Sequence, residues 1–202
     1  MEQFVITVGR QFGSMGRPIA RETSELLGIE YYDRDIVEQT AQRLGLSKKE
    51  ISKQEEEAAK SYGIFGKMLY PLGAGTTELQ DKIFAVQAQI LKDYAEKGAC
   101  ILVGRCSDFV LRNHPNAMHI FIYAPLEDRV RNCVESLNMS GAAGRKMCIN
   151  VDKSRLAYHQ RYAGYAPTDH THYDLMLNSS LLGIHGTARV LAEIARRKFQ
   201  LE

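Results

Sequence analysis

The chain has 202 residues, 45% of them apolar, which is the size of one ordinary domain with enough apolar mass for its own core. Its 26 Lys and Arg stand against 24 Asp and Glu, a formal charge of +2, which gives no argument for wholesale electrostatic binding to nucleic acid or membranes and makes any basic site local. No stretch approaches the roughly 18 consecutive apolar residues of a membrane span, no basic segment followed by an apolar run opens the chain, and Cys100, Cys106, Cys133 and Cys148 show neither CxxC nor metal-type spacing. A cytoplasmic protein with free thiols is expected.

The short apolar run FVITV, Phe4 to Val8, reads as a strand, the pattern from Pro18 to Leu27 as a helix stopped by Gly28, and IEYYD as a second strand ending at Asp33. This is βαβ order. DIVEQTAQRLG continues as a helix, and Ser47 with Glu50 has the form of a capping box opening the polar helix SKKEISKQEEEAAK. The stretch from Ser61 to Gly75 mixes glycines, a proline and bulky apolar groups without a period, and reads as an irregular excursion fit for a substrate flap or a homodimer contact. Thr77 and Gln80 mark another N-cap. Ile83, Val86, Gln87, Ile90, Leu91 and Tyr94 then form one face of a long helix ending near Gly98.

CILVG, Cys100 to Gly104, and HIFIYA, His119 to Ala124, are the next strands, and LEDRVRNCVESL follows Pro125 as a helix. The basic, glycine-containing NMSGAAGRKM reads as a connection to the helix DKSRLAYHQRYAG, after which YDLMLNSS is the last strand and TARVLAEIARRKF the closing helix. Five strands with helices between them predict a mostly parallel sheet covered on both faces, with ligands at the carboxyl ends of the strands.

GRQFGSMGRPIA, Gly9 to Ala20, lies between the first strand and the first helix, where a phosphate-binding loop belongs. It departs from G-x-x-x-x-G-K-[ST]: Arg17 follows Gly16 where the lysine would be, and Pro18 stands in place of the hydroxyl. Gly13, Ser14 and Gly16 can form an anion nest, with Arg10 and Arg17 supplying charge and Arg17 binding as a fork. A plain glycine turn is the other reading of this loop. Arg105 closes the third strand, in position either to face a ligand or to make a surface ion pair. Asp33 closes the second strand, where it can orient a hydroxyl or cap the following helix. Arg129, Arg131, Arg145, Lys146, Lys153, Arg155 and Arg161 concentrate cations in the second half, as phosphoryl transfer requires and as solvated helix faces also supply.

ITVGRQFGSMGRPIA, LGIEYYDRDIV, ILVGRCSDFVL, IFIYAPLEDRV, DKSRLAYHQRYAG and YDLMLNSS occur in order along almost the whole chain, which thereby resembles the cytidylate kinase-like family of bacterial proteins. The resemblance implies an α/β, three-layer P-loop kinase fold with a central five-stranded parallel sheet, formed by one domain over residues 1–202. It implies an acceptor-binding or flap excursion around 34–97 and a lid around 132–165. It implies an ATP-dependent small-molecule kinase acting on a CMP-like nucleoside monophosphate, with ATP and Mg2+ as cofactors and only small molecules as partners. Gly13, Ser14, Gly16 and Arg17 would cradle the donor phosphates with Arg10, and Asp33 and Arg105 would bind the acceptor. Arg17, Asp33, Arg129 and Arg155 would serve catalysis, and no side chain would ligate a metal. Two other readings stand beside this one: a nucleotide or phosphometabolite sensor that kept the cradle and lost catalysis, and an interaction protein working through residues 61–75.

Overall fold

A computed structural model of the chain describes residues 3–61 and 76–201, with side chains at 3–54 and 78–201. Strand β1 is Val5–Arg10, followed by helix α1, Gly16–Leu27, and strand β2, Glu30–Tyr32. Helices α2, Arg34–Leu44, α3, Lys48–Ser61, and α4, Thr76–Lys97, lead to β3, Cys100–Val103. A one-turn helix α5, Ser107–Val110, precedes β4, Ala117–Tyr123; α6, Leu126–Leu137, and α7, Gly141–Ala163, precede β5, Leu175–Asn178, and α8, Ser179–Phe199, closes the fold.

The five strands form one fully parallel sheet in the order β2-β3-β1-β4-β5. Strand β1 is central. Its partner β3 pairs only as far as Val8 with Val103, whereas β4 follows it to Arg10 with Ile122. The chain leaves β1 toward β2 and β3 and later crosses to β4 and β5, so a crevice opens beyond the carboxyl end of β1, where such folds hold their ligands.

Alternate residues of β1 serve opposite layers, because successive side chains of a strand point to opposite faces. Phe4, Ile6 and Val8 pack with Ile19 of α1 and Leu191, Ala195 and Phe199 of α8, and Phe4 stacks on Phe199 at 4.3 Å between ring centroids. Val5 packs with Ile36 of α2 and Ile90, Leu91 and Tyr94 of α4. The predicted apolar face of α4 is thus the face that is used, with Gln87 buried on it.

The capping box at α3 is formed: Ser47 N–H donates to Glu50 at 2.9 Å and Glu50 N–H to Ser47 Oγ at 3.2 Å. Several boundaries differ from expectation. Helix α1 begins at Gly16, two residues before Pro18, which therefore sits within the first turn. Helix α4 begins at Thr76, so Thr77 lies inside it; the Thr77 side chain is outside the described residues, as are residues 62–75 of the apolar excursion. The expected connection at 138–147 is largely helix, since α7 starts at Gly141. Ser140 caps it by accepting the Ala143 N–H at 3.3 Å, and Gly144 is glycine for packing, since a Cβ there would lie 3.1 Å from Cys133 Cβ. Helix α8 starts at Ser179 under an Asn178 cap and kinks at Gly183, whose φ of 64° no ordinary helix contains.

Replacing the α7 cap in Ser140→Ala is expected to cost about 1 kcal/mol, lowering Tm by about 2–4 °C in a chain of this size, as measured by thermal unfolding monitored by circular dichroism.

Candidate active site

The turn from Gln11 to Arg17 joins β1 to α1 with two left-handed residues, Gly13 at φ 76° and Met15 at φ 58°. Its carbonyl groups are taken up one after another. Ser14 Oγ lies 3.0 Å from Gln11 O, Arg129 donates to Phe12 O at 3.2 Å, Asn132 to Gly13 O at 2.8 Å and Ser179 to Ser14 O at 2.7 Å. In a planar trans peptide the next N–H points opposite to the carbonyl, so the Gly13, Ser14 and Met15 N–H groups face away from those side chains. Among the described residues none of them meets a protein acceptor. Amides turned outward at the start of a helix have the geometry of an anion nest. Ser14 itself is buried, its hydroxyl shared between Gln11 O and Ile122 O, so its side chain belongs to the scaffold.

Arginines surround this loop. Arg17 grips Asp33 as a fork, Nε to Oδ2 at 2.7 Å and Nη2 to Oδ1 at 3.3 Å. Asp33 holds the N-cap position of α2 but makes no cap hydrogen bond. Its carboxylate serves Arg17, and lies 3.8 Å from Arg10 Nη2. The Arg10 side chain is only 9% exposed, and among the described residues its Nε meets no acceptor. Burial, followed by the charge of Arg155, pushes the Arg10 guanidinium well below its ordinary pKa, against the opposing pull of Asp33. Two glycines make room for this side chain: a Cβ on Gly16 would stand 2.7 Å from Arg10 Cβ, and one on Gly104 would collide with Arg10 Nη1. Arg155, from α7, donates to Arg10 O at 2.9 Å, and burial lowers its pKa to about 10 with Arg17 and Arg105 adding repulsion.

Arg105 and Cys106 leave β3 in consecutive left-handed conformations, φ 57° and 52°, a strained turn of the kind held at ligand sites. They line a cavity of about 390 Å³ with Gly9, Arg10, Phe121, Arg155, Tyr158 and Tyr173, roofed by α7. One wall is a buried polar cluster. Asp108 Oδ2 accepts from His159 Nε2 at 2.9 Å, Tyr165 Oη at 2.7 Å and Tyr173 Oη at 3.3 Å. Asp108 is held below the usual carboxylate range despite its burial, chiefly by the His159 hydrogen bond and charge. The Cys106 thiol is pushed up by burial and by Asp108, so it is neutral and a poor nucleophile.

The structure therefore brings Arg10, Arg17, Asp33, Arg105 and Arg155 together around one cleft. Arg129 stands apart from it. It is buried behind the loop, donating to Ala124 O at 3.0 Å and Phe12 O and pairing with Asp152, whose other oxygen accepts the Phe12 N–H at 2.7 Å. Arg131 and Arg145 are on the surface, paired with Asp128 and Glu127. Sequence reasoning passed over Asp108, Asp152 and His159. A signal existed for two of them, since Asp152, Arg155 and His159 recur at helical spacing on one face of DKSRLAYH.

The outward-facing amides and the cleft's guanidiniums fit phosphate oxygens. For a metal the fit is different: Pro18 occupies the hydroxyl position, and among the described residues no three His, Cys, Asp or Glu side chains are grouped to hold an ion.

A parallel five-stranded sheet flanked by helices, whose central strand runs through a glycine turn into α1, has the P-loop kinase fold. Within it, the chain belongs to the cytidylate kinase-like family, whose model matches residues 5–181. It is 26% identical over 185 residues to the cytidylate kinase of Methanopyrus kandleri, covering 87% of this chain and 84% of that one. An uncharacterized protein from Eubacterium ventriosum superposes with a TM-score of 0.70 at 20% identity over 96% of this chain and 98% of that one. Shikimate kinase from Bacteroides thetaiotaomicron does so with 0.51 at 11% over 95% and 97%. Among the described residues no helix is long and apolar enough to cross a membrane.

Because Arg129 neutralises Asp152 and carries the Phe12 carbonyl, Arg129→Met is expected to destabilise the fold by about 3 kcal/mol, read from urea unfolding. A loss within about 0.5 kcal/mol, the range of ordinary surface changes, would show that the loop does not depend on this pair.

Proposed function

We propose that the chain is an ATP-dependent small-molecule kinase that phosphorylates a CMP-like nucleoside monophosphate using a loop with arginine in place of lysine. The observation that carries this reading is the convergence of Arg10, Arg105 and Arg155 on one cavity beside the outward-facing amides of Gly13 to Met15. Phosphoryl transfer asks the protein for position and for positive charge around the migrating group, and little else.

The donor supplies the transferable phosphoryl group, and the Gly13, Ser14 and Met15 amides, Gly16 and Arg17 are the groups of this chain that would hold its phosphates. Arg17 is half-exposed at the rim and already forked on Asp33, so the carboxylate sets its direction. In this role Asp33 positions Arg17, and through it the acceptor side of the cleft. Arg105 and Arg155 would grip the acceptor phosphate, Arg105 from the end of β3 and Arg155 from the overlying helix. The aromatic walls of Phe121, Tyr158 and Tyr173 favour a planar base over a bare phosphometabolite. Helix α7 covers the cavity and keeps water from competing with the acceptor. Arg129 is a positioning residue for the loop, since it does not face the cavity. The protein is read as cytoplasmic, and a homodimer through residues 61–75 is kept as a proposal.

The test is ATP turnover with magnesium across nucleoside monophosphates, nucleosides and phosphorylated metabolites. Acceptor-dependent ADP formation is expected, greatest for CMP-like acceptors, with kcat/KM lowered about 100-fold or more by Arg105→Ala and by Arg17→Ala. Tight nucleotide binding with no acceptor-dependent turnover in the same samples would replace this reading with the sensor.

A further inference from the structure

Asp108 follows Arg105 by three residues, and His159 follows Arg155 by one helical turn, so the pair of opposite charges sits directly beside the pair of like charges. Arg105 belongs to the turn leaving β3 and Arg155 to α7. Each lowers the pKa of the other's neighbours, and Arg105 itself disfavours the charge on Arg155. Two guanidinium groups on separate elements repel, and the cleft would open unless something tied those elements together.

Arg155 is itself bonded to Arg10 O, and the tie between the β3 exit and α7 is the ion pair between Asp108 and His159, 2.9 Å long, with both side chains buried. His159 Nδ1 lies 3.0 Å from Tyr165 O, a carbonyl that only accepts, while its Nε2 faces a carboxylate already receiving two tyrosine hydroxyls. Both ring nitrogens must therefore donate, which makes the ring an imidazolium. Its pKa is raised accordingly, the Asp108 hydrogen bond and charge together outweighing a larger single penalty from burial.

We propose that the Asp108–His159 pair is a positioning clamp that holds Arg155 against Arg105, so that the cleft meets its anion with both cations already in place. The proposal rests on the anion-binding reading of that cleft. The clamp raises affinity by removing the cost of bringing the two guanidiniums together at the moment of binding. His159 and Asp108 do not themselves touch the anion in this role.

The sign of the pH dependence follows from the raised imidazolium. The clamp is complete below the ordinary histidine pKa, near 6.5, and is lost as pH rises through the raised value. The other groups facing it are Arg105, Cys106 and Asp108 around α5, Arg155 on α7, Tyr165, Tyr173 and the exposed His172 stacked on Tyr165, and His119 on β4. Cys106, Tyr165 and Tyr173 are pushed up by burial and stay neutral through that range, and His119 is pushed down by burial.

Sulfate is the probe, because it does not change charge between pH 6 and 9. Its affinity is measured calorimetrically for the full chain, for His159→Gln, for Arg155→Ala and for the double variant, with His159 titrated by its imidazole nitrogen shifts. His159→Gln is expected to weaken binding about tenfold in the parent chain and less than about twofold in the Arg155→Ala background, since a clamp acts only through the residue it holds. In the unsubstituted chain affinity falls as His159 loses its proton, and in Arg155→Ala that profile is flat. Additive effects, or an affinity unchanged across the His159 titration, overturn the clamp while leaving the cationic cleft standing. Sulfate binding indifferent to both Arg105→Ala and Arg155→Ala overturns the cleft itself and the clamp with it.

Discussion

Positive charge gathered in one cleft is the constraint on which the rest of this structure depends. Arg10, Arg17, Arg105 and Arg155 come from four different elements or turns, with Asp33 paired to Arg17 and Arg10 and Asp152 lying 4.0 Å from Arg155. Two unit charges 4 Å apart interact by about 4 kcal/mol at the effective dielectric of a protein surface. Such an arrangement persists only where packing elsewhere holds the elements in place. The double-faced core around β1 does this for the loop and for Arg10, and the contacts of α7 do it for Arg155.

The acidic residues around the cleft divide the work. Asp33 faces the arginines directly and decides where Arg17 points. Asp152 sits behind the loop, accepting the Phe12 N–H and pairing with Arg129, so that it joins α7 to the loop, and its Oδ1 lies 4.0 Å from Arg155, whose charge it supports. Asp108 is farther along the wall, with a histidine and two tyrosines as donors. Helix α7 thus touches all three layers of the site: Asp152 at the loop, Arg155 at Arg10 and His159 at the β3 exit. Its residues at positions 152, 155 and 159 project from one face, so any tilt of the helix moves them together.

Most of the fold was legible because the signals were local. Apolar runs of strand length alternated with helical periods, Gly28 and Gly98 ended helices, and the box of Ser47 and Glu50 formed as read. The start of α7 was not, because Gly141 and Gly144 look like loop residues. Only the approach of Cys133 to Gly144 shows that one of them is a packing glycine, and that contact is set by tertiary structure. The same limit applies at the site. Arg10, Arg17, Asp33, Arg105 and Arg155 could be picked out from strand ends and the lid segment. The retreat of Arg129 behind the loop could not, since a helical arginine after a strand reads alike whether it faces a ligand or a backbone carbonyl. Asp108 was hidden for a related reason: the strained turn through Arg105 and Cys106 carries it back toward α7, and left-handed angles at non-glycine residues leave no mark in a sequence.

Arg17 stands in the loop where the phosphate-loop pattern has a lysine, and the two side chains carry their charge differently. A lysine is a flexible point charge, whereas Arg17 is a planar fork that Asp33 can hold by two nitrogens, which fixes its direction before any ligand arrives. A second cation, Arg10, lies beneath, at the end of the central strand. Its presence gives Gly16 a reason beyond the phosphate-loop pattern and accounts for Gly104, which lies outside that pattern. Gly16 must lack a side chain so that Arg10 can pass under the start of α1, and Gly104 must lack one so that the guanidinium can reach the exit of β3. Ligand oxygens are therefore not needed to explain those two glycines. What they accommodate is an arginine, all but buried, whose Nε has no acceptor among the described residues, and a group so placed is satisfied most readily by an anion entering the cavity it lines.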